Sequence, residues 1–150
     1  MQQQRPTLTE TPDRSDVQFL NERLRAYNLL HAADDKHRLL TVLLRDPEGE
    51  IVAGLLGGTF WGWLHIDVLW VRDDLRRGGN GRALLEMAEE ESIRRGCHHA
   101  YVETHSFQAL PFYQKHGYTV FGQLLDFPQG HTKYYLEKAL KPDASGKANA

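Results

Sequence analysis

Val68-Leu69-Trp70-Val71-Arg72-Asp73-Asp74-Leu75-Arg76-Arg77-Gly78-Gly79-Asn80-Gly81-Arg82-Ala83-Leu84-Leu85 is the stretch that decides the fold. It opens as an apolar strand, passes through a charged, glycine-rich loop and closes as the first turns of a helix. Glycines let the backbone approach a ligand closely, and successive N–H groups can converge on one anion. The positive end of the helix dipole lies behind them. Arg76, Arg77 and Arg82 add full charges, so the natural partner is a phosphate or pyrophosphate. No Gly-Lys-Ser/Thr follows, which excludes a Walker loop, and the glycine spacing does not match the dinucleotide fingerprint.

Outward from this loop, Gly81–Arg95 predicts a helix with Leu84, Leu85, Ala88 and Ser92 on one face. Glu90/Arg94 and Glu91/Arg95 stand at i,i+4 on the other. Gly96 falls where a cap glycine belongs. Upstream, Leu64–Val71 predicts a strand, and Arg38–Arg45, read as mostly buried, pairs with Ile51–Thr59 through Asp46-Pro47-Glu48-Gly49. Phe60-Trp61-Gly62-Trp63 is a second connection. A helix capped by Ser15 or Asp16 runs to about Ala32, preceded by a short strand at Thr7–Thr9. Downstream, His99–Glu103 is a strand. Ala109–His116 is a short helix with Pro111 in its first turn and Gly117 as cap. Tyr118–Leu124 and Thr132–Leu140 are the last strands. The order β, α, β-β-β, α, β, α, β-β predicts an α/β fold with a mixed, mostly antiparallel central sheet flanked by helices.

The chain has 150 residues, one domain's worth, expected over 6–140 with disordered tails at 1–5 and 141–150. Its 18 basic and 20 acidic residues leave a net charge of -2, without the basic excess a nucleic-acid binder needs. The single cysteine, Cys97, cannot form an internal disulfide, and it is read as a packing residue rather than a nucleophile. No apolar run is long enough for a membrane helix, and no signal core opens the chain. A cytoplasmic protein is the expectation. His98, His99 and His105 fit no zinc spacing, so no metal is expected.

Arg-x-x-Gly-x-Gly before Ala-Leu-Leu, followed about 30 residues later by Phe112-Tyr113-x-Lys115-x-Gly117-Tyr118, resembles the GNAT superfamily of acetyl-CoA-dependent N-acetyltransferases. The likeness covers roughly residues 6–140 and includes the element order. It implies that Arg76, Arg77, Gly78, Gly79, Asn80, Gly81 and Arg82 hold the coenzyme A pyrophosphate. It implies that Leu69, Trp70 and Val71 lend backbone groups to the pantetheine arm, through a splay between neighbouring strands. Tyr113 matches the tyrosine that protonates the departing thiolate. Ser106 stands where the family often has an asparagine bonding the arm.

A base must also free the attacking amine. A lysine-like ammonium has a pKa of about 10.4. His65 matches the strand position where relatives often hold a carboxylate base. Asp67 lies two residues on and so shares one face with His65, to orient it or attract a cationic acceptor. His131 lies in the last hairpin, which in this family tends to flank the acceptor, and reads first as a turn residue; Phe60, Trp61 and Trp63 are candidates for an apolar wall there and equally for core or a dimer contact. The expected partners are acetyl-CoA and an amine acceptor, with no nucleic acid and no membrane, and many relatives form homodimers. The acceptor itself is not legible. A CoA-binding module without catalysis and an unrelated phosphate- or nucleotide-binding domain are the competing readings.

Overall fold

In this computed structural model the described residues are 4–141. They fall into two units, one up to Asp34 and one from Asp35. The expected tails lie mostly outside the described residues.

The first unit carries one helix, α1 (Arg14–Leu29). Its N-cap is Asp13, two residues ahead of Ser15 and three ahead of Asp16, the expected caps, and no side chain caps it. Gln18 donates to Glu22 across one turn at 2.9 Å, and Arg25 pairs with Asp34 at 3.0 Å. Thr7–Thr9 is not a strand, because no other strand pairs with it.

The second unit is built on a six-stranded sheet: β1 (Arg38–Arg45), β2 (Ile51–Phe60), β3 (Trp63–Val71), β4 (His99–His105), β5 (Thr119–Leu125) and β6 (Thr132–Ala139). The spatial order is β1-β2-β3-β4-β6-β5, and every pairing is antiparallel except β3 with β4. That parallel step requires a crossover, which α2 (Asn80–Arg94) supplies. The helix α3 (Leu110–Lys115) links β4 to β5. The mixed, mostly antiparallel sheet with flanking helices is the expected architecture.

Local rules set most of these boundaries. Trp61 and Gly62 both have positive φ, 46° and 77°, which a two-residue turn between twisted strands demands. Both helices of this unit end in the same glycine-closed cap. After α2, Cys97 N–H donates to Ser92 O and Gly96 N–H to Ile93 O, at 2.9 Å each. After α3, Tyr118 N–H donates to Tyr113 O at 3.0 Å and Gly117 N–H to Gln114 O at 3.2 Å. Gly96 and Gly117 take the left-handed φ, 87° and 92°, that this closure needs.

The core lies on one sheet face. Leu40, Ala53, Leu55, Leu64, Ile66, Ala100, Val102 and Leu136 cluster there with Leu84, Leu85 and Ala88 of α2 and with Tyr113 and Tyr118. The strand β1 is less buried than its run of leucines suggests. It is a sheet edge, and only Leu40 is fully inside, while Leu39, Leu43 and Leu44 are exposed. On α2, Glu91 takes both arginines, Arg94 and Arg95, at 3.0 Å, in place of the expected Glu90/Arg94 pair. Among the described residues no helix is long and apolar enough to cross a membrane.

Candidate active site

Two departures from a regular sheet build the site. The first is a bulge in β3. Leu56 of β2 is opposite Val68, but the next residue, Gly57, is opposite Ile66, so Asp67 is an extra residue with no partner across the pair. The bulge resets the alternation. Leu64 and Ile66 point into the core before it, and Leu69 and Val71 pack against the core after it. The expectation that Asp67 shares a face with His65 rested on unbroken alternation, and the bulge removes that basis. Asp67 is exposed and makes no hydrogen bond or ion pair among the described residues.

The second departure is a gap. The strands β3 and β4 pair over four rungs only, from Trp63 with His99 to Ile66 with Val102. Beyond them β3 stays with β2 and β4 stays with β6, so the edges that face each other past Ile66 and Val102 have no ladder. Leu69, Trp70 and Val71 all lie on this unpaired stretch of β3.

The glycine loop follows directly. A short 3-10 turn (Asp73–Leu75) leads into Arg76–Gly79, and α2 begins at Asn80. Arg77 and Gly79 have positive φ, 64° and 83°. The N–H groups of Arg77, Gly78 and Gly79 meet no acceptor among the described residues. The first turn of any helix leaves further amides free, here from Asn80 onward. A Cβ on Gly79 would meet nothing within 4 Å, so the space before the helix is open. Asn80 holds the loop by donating from Nδ2 to Leu75 O at 3.0 Å. Gly81 lets α2 start against α3, since a Cβ there would stand 3.4 Å from the Phe112 ring.

The arginines are mostly tied. Arg76 donates to Val71 O at 2.9 Å and pairs with Asp73 at 3.0 Å. Arg82 pairs with Glu86 at 2.7 Å. Arg72 is held by Asp74, and that hydrogen bond raises the guanidinium pKa and lowers the carboxyl's. Arg77 makes no ion pair among the described residues. The loop therefore offers backbone amides and one untethered guanidinium to an anion.

Tyr113 is buried on α3 beside Phe112 and Tyr118. Burial pushes its hydroxyl pKa up to about 12, so the group carries its proton at neutral pH. Thr104 of β4 accepts a hydrogen bond from Ala109 N–H at 3.2 Å and so anchors the start of α3. Ser106 is engaged elsewhere than the gap. Its Oγ accepts from Thr132 N–H at 3.1 Å and stands 3.3 Å from His131 Nδ1, which braces the β5–β6 connection.

On the sheet face opposite the core, His65 stands in the third rung, across from Tyr101. The rings stack, with centroids 4.4 Å apart and planes 12° from parallel. His65 Nε2 lies 2.8 Å from Glu103 Oε2. The imidazole's partner is thus Glu103, not Asp67. Burial, then the Glu103 charge, raises the Tyr101 hydroxyl pKa. Trp63 stacks on His99 at 4.5 Å and meets Tyr101 edge-on at 6.0 Å, and Phe60 meets Tyr101 edge-on at 6.4 Å. Of the expected apolar wall, Phe60 and Trp63 come together here, while Trp61 sits at the turn. Sequence reading missed Glu103 and Tyr101. Their signal is the strand period: 99, 101 and 103 share one face of β4, but only the register shows that this is the face of His65. Cys97 is buried, and burial raises its thiol pKa, which suits packing rather than nucleophilic attack.

The parallel strand pair thus parts after four rungs, with a left-handed glycine loop and free amides beyond the end of β3. The family model for the acetyltransferase (GNAT) family matches residues 5–118. The chain belongs to this family. It is an acetyltransferase, and GNAT acetyltransferases use acetyl-CoA. It is 34% identical over 131 residues to acetyltransferase Atu2258 of Agrobacterium fabrum, covering 87% of this chain and 96% of that one. It is 42% identical over 93 residues to the blasticidin-S acetyltransferase of Streptomyces morookaense, covering 61% and 68% of the two chains. An acetyltransferase structure from Bacillus cereus superposes with a TM-score of 0.81 at 31% identity, over 89% of this chain and 98% of that one.

Proposed function

We propose that this acetyltransferase moves the acetyl group of acetyl-CoA to a primary amine by direct attack in a ternary complex. The observation that carries the reading is the β3–β4 gap, with His65 in the last rung but one before the strands part and the amide-rich glycine loop at the far end of the same strand. The amides of Arg77, Gly78, Gly79, Asn80 and Gly81, with Arg76, Arg77 and Arg82, take the pyrophosphate. The pantetheine arm lies along Leu69, Trp70 and Val71, whose unladdered edge offers backbone donors and acceptors. Ser106 adds less, because its oxygen already accepts from Thr132.

The amine nitrogen forms a bond to the thioester carbon, and the carbonyl oxygen takes up negative charge that β3 N–H groups stabilise. The C–S bond then breaks. The thiolate takes a proton from Tyr113, which its raised pKa keeps protonated. The proton lost by the amine goes to His65, directly or through water. Asp67, exposed on the bulge, attracts a cationic acceptor. The blasticidin-S acetyltransferase relative supports a small amine-bearing molecule as the acceptor.

Thermal shift with acetyl-CoA, CoA and ATP tests the donor, since a ligand bound only by the folded state raises its stability. Thiol release across a panel of amines tests transfer. Acetyl-CoA should stabilise the protein and thiol should appear with at least one amine. Stabilisation by ATP but not by CoA would sink the reading, and CoA binding without turnover would leave only a binding module.

A further inference from the structure

His65 and Glu103 sit on neighbouring parallel strands; Glu103 is two residues past Tyr101, the rung partner of His65, and one past the last rung, and its side chain reaches back to the imidazole. An ionised carboxylate is an acceptor only. A contact of 2.8 Å from Glu103 Oε2 to His65 Nε2 therefore requires the hydrogen to sit on Nε2, whether the ring is neutral or charged. Nδ1 makes no hydrogen bond among the described residues. The side chains are 26% and 27% exposed, so the pair is shielded from water yet open to a ligand. The Tyr101 stack limits rotation of the ring, so the two nitrogens do not exchange places freely.

We propose that Glu103 is a positioning residue that fixes His65 as the Nε2–H tautomer and makes Nδ1 the atom that receives the acceptor's proton. This rests on the proposed acetyl transfer. The proton leaves the attacking amine as the N–C bond forms and binds the Nδ1 lone pair. The imidazolium charge is balanced by the Glu103 carboxylate, and the proton passes to solvent after product release. Around the pair the other titratable groups are Tyr101 on β4, Tyr135 and Glu137 facing β4 from β6, Asp67 on β3, and His37, whose ring lies against Gly58, the β2 partner of His65.

Two measurements test it. Ring-nitrogen NMR of the wild-type protein should show His65 with its proton on Nε2, and a proton on Nδ1 alone overturns the proposal. Glu103→Gln keeps an acceptor but removes the charge that favours imidazolium. Glu103→Ala removes the acceptor altogether, and the same NMR should show His65 losing its preference for the proton on Nε2. In both variants kcat should fall about tenfold or more, and the KM for acetyl-CoA should not change. An unchanged tautomer in Glu103→Ala overturns the proposal even if activity falls, because that is the signature of a merely structural contact. If the wild-type protein turns over no amine, the acetyl-transfer reading fails, while the two NMR results still decide the role of Glu103. Should Glu103→Gln not fold, the wild-type tautomer decides alone.

Discussion

Lys138 of β6 donates from Nζ to both carboxylate oxygens of Glu89 on α2, each at 2.8 Å. The Glu89 side chain is 10% exposed and that of Lys138 is 28% exposed. This inward-facing pair ties the crossover helix to the far side of the sheet, above the ring of Tyr118. Burial raises the Glu89 carboxyl pKa, and Lys138 opposes the rise. A raised carboxyl favours the folded state below its ordinary pKa, and that advantage is lost as pH rises through the raised value. Removing the lysine leaves a buried, uncompensated charge. Lys138→Met should therefore cost about 3 kcal/mol at pH 7, the lower end for a broken buried pair because the lysine is partly exposed. The deficit should shrink as the pH is lowered from 7 to 4, because protonation of Glu89 removes the uncompensated charge. Urea unfolding at the two pH values measures it, and equal deficits would count against the pair.

Gly57 stands where β2 crosses the bulge, and a Cβ there would collide with the His65 carbonyl oxygen. Backbone cannot move aside as a flexible side chain can. Gly57→Ala should destabilise the fold by about 2–3 kcal/mol, in the range for overpacking. Because the strain falls on the residue proposed as base, kcat should drop with it. Denaturant unfolding checks the first effect, and stability within about 0.5 kcal/mol of wild type would contradict the close approach.

Gly79 combines a φ of 83° with open space before α2. Gly79→Ala carries the backbone strain alone, about 1–2 kcal/mol. Gly79→Glu adds bulk and a negative charge facing the pyrophosphate. The glutamate variant should fold yet lose the stabilisation by CoA, about 2.7 kcal/mol at a hundredfold excess over Kd. Calorimetric titration reads this directly. Retained CoA affinity in a folded Gly79→Glu protein would move the pyrophosphate site away from the loop.

Tyr113→Phe removes the acid proposed for the thiolate and keeps the ring in the core. The expected loss in kcat is about 100-fold, with the KM for acetyl-CoA unchanged. The hydroxyl titrates at about 12, raised by burial, so Tyr113 should not shape the pH–rate profile below about pH 11. For stability, a raised tyrosine helps the fold below its ordinary pKa of about 10, and the help is lost as pH rises through 12. Steady-state kinetics of the variant decide the role, and an unchanged kcat would exclude it.

The features legible in the sequence are the ones set by residues close together in the chain. The glycine loop, the face of α2, the cap glycines Gly96 and Gly117 and the turn at Trp61-Gly62 follow from φ preferences and i,i+4 spacing. These terms act within a few residues, so the chain states them outright. The resemblance carried by Arg76–Leu85 and Phe112–Tyr118 then pointed to the family, and through it to the donor.

What lies across strands was decided only in three dimensions. The extra residue at Asp67 resets the alternation along β3, and no local preference announces it. The same register brings Glu103 to His65 from 38 residues away, and the fold turns Glu89 inward to Lys138. Thr7–Thr9 shows the reverse case, a strand-like run with no partner to pair with. A strand's burial, register and neighbours are properties of pairing, and pairing is a long-range choice that the whole sheet makes together. The sequence alone determined the glycine loop and the elements around it. The tertiary structure decided which side chains share the face where an amine would meet the thioester.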